Sequence, residues 1–114
     1  MKIPEMFQQK KPVFSMEIFP PKKKANIDSI YETVEKLKVC DPDFISVTYG
    51  AGGSMTDNYT CEIASNIKKR FGIETLAHLT CINSSREDVK EMIGRFQAAD
   101  IKNVLTLRGD IVPD

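Results

Sequence analysis

Four short apolar runs alternate with three amphipathic segments along this chain, and that alternation restricts the fold more than any other feature. The runs are "VFSMEIF" (13–19), "FISVTY" (44–49), "TLAHLTC" (75–81) and "NVLTLR" (103–108). Their β-branched and aromatic content suits strands. Between them the apolar period lengthens to that of a helix. Ile27, Ile30, Tyr31, Val34 and Leu37 form one stripe behind Asn26, a candidate N-cap. A second helix is expected from about Thr56 or Asp57 to Phe71, with Ile63, Ile67 and Phe71 spaced by four. Lys68, Lys69 and Arg70 suit the negative end of its dipole, and Gly72 can close it. A third starts at "SSRE", where Ser84 and Glu87 read as a capping box, and buries Val89, Met92, Ile93 and Phe96. The order β-α-β-α-β-α-β predicts a parallel sheet with right-handed crossovers.

Strand faces narrow this α/β class. Side chains alternate across a strand. Ser15 and Glu17 oppose Met16 and Ile18; Ser46 and Thr48 oppose Ile45 and Val47; His78 and Thr80 oppose Ala77, Leu79 and Cys81. In the fourth run, Thr106 and Arg108 oppose Leu105 and Leu107. Each strand is thus expected to turn an apolar face to the helices and a polar face to a site at its C-terminal end. That arrangement fits the interior of a TIM-type (β/α)8 barrel better than an open sheet covered by helices on both faces. Glu17 would then point into the barrel mouth, and Pro20-Pro21 would end the strand in a loop.

Composition excludes several classes. The chain has 16 basic and 16 acidic residues, without the basic excess of a nucleic-acid binder. No apolar run is long enough to span a membrane, and the N-terminus lacks the apolar centre of a signal peptide. Cys40, Cys61 and Cys81 match no metal-ligand spacing, so no metal site is expected. They read as reduced packing thiols of a cytoplasmic protein.

The motifs between elements leave choices open. "TYGAGGS" lets the backbone approach a ligand closely or simply makes a tight turn. It fits neither a dinucleotide fingerprint, since Met55 stands at the third glycine position, nor a Walker loop. "LRGD" at 107–110 reads as ligand contacts at a strand end or as a turn with a surface ion pair. His78, the only histidine, is either a satisfied structural residue or a ligand contact. Tyr49 could stack on a ring or pack. Lys22 and Lys23 belong to a solvated loop or touch phosphate.

Taken together and in order, "SMEIFPPK", "DFISVTYGAGGS", "AHLTC" and "NVLTLRGD" resemble the methylenetetrahydrofolate reductases over residues 14–110. The resemblance implies a barrel that carries FAD and uses NADH or NADPH to reduce 5,10-methylenetetrahydrofolate to 5-methyltetrahydrofolate, feeding methionine synthesis. Glu17 matches the family's general acid, which protonates the folate and opens its five-membered ring to an iminium. Asp110 matches the aspartate near flavin and pterin. Thr48, Tyr49, Ala51, His78, Arg108 and Gly109 match FAD-contact positions. A carboxyl group in a dry apolar pocket keeps its proton to higher pH, which suits the acid role. The folate is the expected partner, with neither nucleic acid nor membrane, and the full-length protein is expected to form homo-oligomers.

Four strands and three helices make only part of an eight-stranded barrel. Residues 1–114 are therefore expected to be the N-terminal part of one barrel domain, inactive alone, with unpaired strand edges. Another flavin- or pterin-binding barrel enzyme and a non-catalytic half-barrel module are the alternatives.

Overall fold

The computed structural model describes residues 1–9, 12–21, 26–49 and 59–109. Its elements run α1 (Ile3–Gln9), β1 (Ser15–Ile18), α2 (Ile27–Leu37), β2 (Phe44–Val47), α3 (Thr60–Phe71), β3 (Glu74–Thr80), α4 (Arg86–Ala98) and β4 (Val104–Leu107). A 3-10 turn over Lys38–Cys40 follows α2. The four strands are parallel and lie in the order β1-β2-β3-β4. A sequential order without a reversal point is compatible with an arc of a barrel; a doubly wound sheet reverses direction at its switch point.

One face of the sheet carries the core. Ile18, Ile45, Val47, Ala77 and Leu79 are buried against the helices. From the helices, Tyr31 and Val34 of α2, Ile63, Ala64 and Ile67 of α3, and Met92 and Phe96 of α4 join them. Three polar contacts fix the layers. The Thr75 hydroxyl donates to the Ala64 carbonyl at 3.3 Å, joining β3 to α3. Asn66 Nδ2 donates to the Tyr31 hydroxyl at 2.8 Å, joining α3 to α2. The Cys61 thiol donates to the Arg95 carbonyl at 3.6 Å, joining α3 to α4. Burial raises the pKa of Cys61, which keeps it a protonated packing thiol. All three cysteines are free.

The described residues contain four α-helices where three were expected. The addition is α1, a short helix whose Pro4 sits in the first turn, where its missing N–H costs nothing. Of its apolar residues Ile3, Met6 and Phe7, only Ile3 is buried. It is held by tertiary bonds instead. Ile3 N–H donates to Asn103 Oδ1 at 2.9 Å, and Asn103 Nδ2 donates to the Met1 carbonyl at 3.1 Å. The Met1 amino group meets Glu74 Oε2 at 2.7 Å. Asn103 and Glu74 flank the N-terminal ends of β4 and β3, so α1 lies at the end of the sheet opposite the expected site.

Local signals shifted in three places. The capping box of α4 is built one residue later than expected: Ser85 Oγ accepts from Asp88 N–H at 3.1 Å, and Asp88 Oδ2 accepts from Ser85 N–H at 2.9 Å. Two adjacent serines make either frame plausible, and Asp serves at the third position as Glu would. Ile93, expected on the buried face, turns outward and is 44% exposed, while Met92 and Phe96 are buried. Asn26 stands at the N-cap of α2 without a side-chain cap bond; its carbonyl accepts from the Ser29 hydroxyl at 2.7 Å. Gly72 closes α3 as expected, with φ of +67°.

Candidate active site at the strand C-termini

The second face of the sheet carries the polar side chains. Parallel register places paired residues on one face. Glu17 pairs with Ser46, and Ser46 with Leu76. Two residues on, His78 pairs with Leu105 and Thr80 with Leu107. Glu17, Ser46, His78 and Thr80 therefore share the face away from the helices, as the alternation predicted for the first three strands.

The fourth strand is in the opposite phase. Thr106 registers with Leu79 and belongs to the helix side, whereas Leu105 and Leu107 stand beside His78 and Thr80. A strand that alternates Leu with Thr can present either set to a neighbour; the β3–β4 hydrogen bonds choose, and a one-residue difference exchanges the faces. The site face thus gains two leucines, 40% and 38% exposed, that the sequence had assigned to the core.

Glu17 Oε1 lies 3.8 Å from His78 Nε2. That is longer than a hydrogen bond and within ion-pair range when the ring is protonated. The imidazole side chain is 10% exposed and the carboxylate 50% exposed. The expected dry pocket around Glu17 is therefore not formed by the described residues: β1 has no neighbour on its other side among them, and water reaches the carboxylate.

The remaining site residues follow the strand ends. Thr48 lies just beyond β2, and its N–H donates to the Ile18 carbonyl at 3.1 Å. Its carbonyl accepts from the Thr60 hydroxyl at 2.8 Å, which fastens the first residue of α3 to the end of β2. Tyr49 is partly buried against the core. Arg108 is exposed, but its carbonyl accepts from Ile82 N–H at 2.8 Å and prolongs the β3–β4 pairing past the strand. Gly109 has φ of +86° and passes beside Thr80. Ala51 with the glycine loop, Lys22 and Lys23, the helix start at Thr56 or Asp57, and Asp110 lie outside the described residues.

Ser46 and Thr80 stand on the face that strand alternation assigned to them, and Leu105 and Leu107 are the members of this surface that it placed on the other side. The signal for Ser46 was present, as a small polar residue inside an otherwise apolar strand that is buried throughout. A groove of about 590 Å³ elsewhere, lined by Asp28, Tyr31, Glu32, Glu35, Lys36, Arg70 and Phe71, contains none of these residues. Within it the Arg70 guanidinium lies over the Tyr31 ring, 4.6 Å from its centre. Among the described residues no cluster could hold a metal ion and no helix is long and apolar enough to cross a membrane.

Comparison with known proteins agrees with the motif order. The family model for methylenetetrahydrofolate reductase matches residues 2–114. A "Probable methylenetetrahydrofolate reductase (NADH)" of Oryza sativa subsp. japonica is 38% identical over 109 residues, covering 96% of this chain and 18% of the rice protein. A "5,10-methylenetetrahydrofolate reductase" of Buchnera aphidicola is 40% identical over 97 residues, covering 85% of this chain and 33% of that protein. "Methylenetetrahydrofolate reductase (NADH) 1" of Arabidopsis thaliana is 38% identical over 109 residues, covering 96% of this chain and 18% of its own length. The chain spans between about a fifth and a third of the length of these relatives. With the family match extending over nearly every residue, the chain belongs to the methylenetetrahydrofolate reductase family.

Proposed function

We propose that this chain supplies the N-terminal arc of a (β/α)8 barrel that reduces 5,10-methylenetetrahydrofolate to 5-methyltetrahydrofolate, with FAD bound and a nicotinamide nucleotide as reductant. The observation that carries the reading is the Glu17–His78 pair on the site face of sequentially ordered parallel strands, in a chain of this family. The printed names of the rice and Arabidopsis relatives specify NADH, which favours that nucleotide over NADPH. Four strands cannot close a barrel, so activity is expected of the complete barrel and not of these residues alone.

The residues present suit a flavin. Leu105 and Leu107 offer an apolar surface for a flat ring system, beside the imidazole of His78 and the hydroxyl of Thr80. At Gly109 the backbone comes within reach of the same surface, where any side chain would intrude. In this reading Thr48, Tyr49, Ala51, His78, Arg108, Gly109 and Asp110 hold the cofactor, and Asp110 also lies toward the pterin. Flavin supplies the hydride-transfer chemistry when bound; the protein supplies orientation and charge. Glu17 donates a proton from its carboxyl to the folate and so opens the five-membered ring. Ring systems stacked over the half-exposed Glu17 would displace water from it, the condition under which a carboxyl group serves as acid near neutral pH.

In the complete enzyme, Glu17→Gln should leave flavin reduction by the nicotinamide nucleotide intact and abolish folate reduction. Stopped-flow absorbance of the two half-reactions reads this directly. Unimpaired folate turnover in that variant removes Glu17 from the proton-donor role.

A further inference from the structure

Glu17 and His78 belong to strands that are not neighbours. β2 lies between them, so their backbones are roughly 9–10 Å apart. Their side chains meet only by leaning toward each other across β2, past Ser46, which is in register with Glu17 and 7% exposed, and toward the level of Thr48, since Ser46 pairs with Leu76 and His78 lies two residues further along β3. A larger side chain at position 46 would fill the space the two side chains cross. The pair is also unequal. The His78 ring is fixed by burial, whereas Glu17 is half in water, where three side-chain torsions would otherwise be free.

We propose that His78 is a positioning residue for Glu17: across the gap left by Ser46, the buried imidazole holds the half-exposed carboxylate over β2. This rests on the reading of Glu17 as the proton donor. It gives His78 a task toward the acid that is separate from any contact with cofactor. It also makes the small size of Ser46 a requirement of the site.

The direct test is the rotamer of Glu17, read from side-chain scalar couplings by NMR on the 114-residue chain. The wild type should show one dominant rotamer. His78→Leu, which keeps volume and removes the ring nitrogen, should give averaged couplings. His78→Gln, whose amide nitrogen can occupy the Nε2 position, should restore the single rotamer. Ser46→Val should average them while both partners remain. Averaged couplings in the wild type, or a single rotamer kept in both His78→Leu and Ser46→Val, overturn the proposal. In the complete enzyme, His78→Leu should lower folate turnover about tenfold or more, and His78→Gln should recover most of it. If Glu17→Gln itself reduces folate normally, the proton-donor reading fails. If that variant is inactive but the rotamer ignores His78, only the positioning role fails.

Discussion

Gly109 and Thr80 are so close that a methyl group added at Gly109 would lie 3.1 Å from Thr80 Cβ and 3.4 Å from Thr80 Cγ2. The contact explains the glycine of the "RGD" tripeptide in local terms. The backbone must pass beside β3 with φ of +86°, a conformation L side chains rarely adopt.

Gly109→Ala therefore meets two penalties, and Gly72→Ala isolates one of them. Gly72 has φ of +67° and nothing within 4 Å of an added Cβ. Its substitution should cost about 1–2 kcal/mol from backbone strain alone. Gly109→Ala should cost more, since Thr80 must also give way. Urea midpoints of the two variants at unchanged slope check the order.

The capping box of α4 predicts that Ser85→Ala loses about 1 kcal/mol, while Ser85→Gly loses only a few tenths. The same denaturation measurement reads both. Equal stability of wild type and Ser85→Ala would show that the helix start is held by something other than the bonds to Asp88.

The outer and inner faces of α4 make a sharper pair. Phe96 is 2% exposed and Ile93 44%. Phe96→Ala should cost about 3–5 kcal/mol through the cavity it leaves, enough to unfold much of a marginal chain. Ile93→Ala should change stability far less. Circular dichroism melts distinguish them; a large loss at Ile93 would mean the sequence periodicity, and not the structure, has the correct buried face.

Acid should loosen the end of the sheet that holds α1. Burial works to raise the pKa of Glu74, but the hydrogen bond from the Met1 amino group, the Thr75 N–H and the charge of Lys68 outweigh it, and the net shift is downward. Lys68 Nζ stands 3.5 Å from Glu74 Oε1 and donates to the Asp100 carbonyl at 2.7 Å. A carboxylate whose folded pKa is lowered adds stability above its unfolded value of 4.5 and loses it as pH falls through the folded value. Glu74→Gln should cost up to about 1 kcal/mol at neutral pH and flatten the decline of stability below about pH 4.5. Urea titrations at pH 7 and pH 3 give the two slopes; parallel loss in wild type and variant would exclude Glu74 as a contributor.

Much of the fold was legible because its signals are local. Ile27, Tyr31 and Val34 repeat with helical period and are buried in α2; Ile63 and Ile67 do the same in α3. What escaped was set by distant partners or by a choice between equivalent neighbours. The helix α1 has one buried apolar residue and depends on Asn103 and Glu74, far along the chain. The capping frame turned on which of two serines met Asp88.

For the site, residue types and their order sufficed to nominate Glu17, His78 and the strand-end residues and to point to the family. Alternation within each strand also separated polar from apolar sets, since a period of two is a property of the chain itself. Only the tertiary structure could decide which set of β4 faces His78, and that Glu17 reaches His78 across β2. Both outcomes depend on inter-strand register, which is fixed by hydrogen bonds between segments distant in sequence and leaves no trace in the composition of either strand.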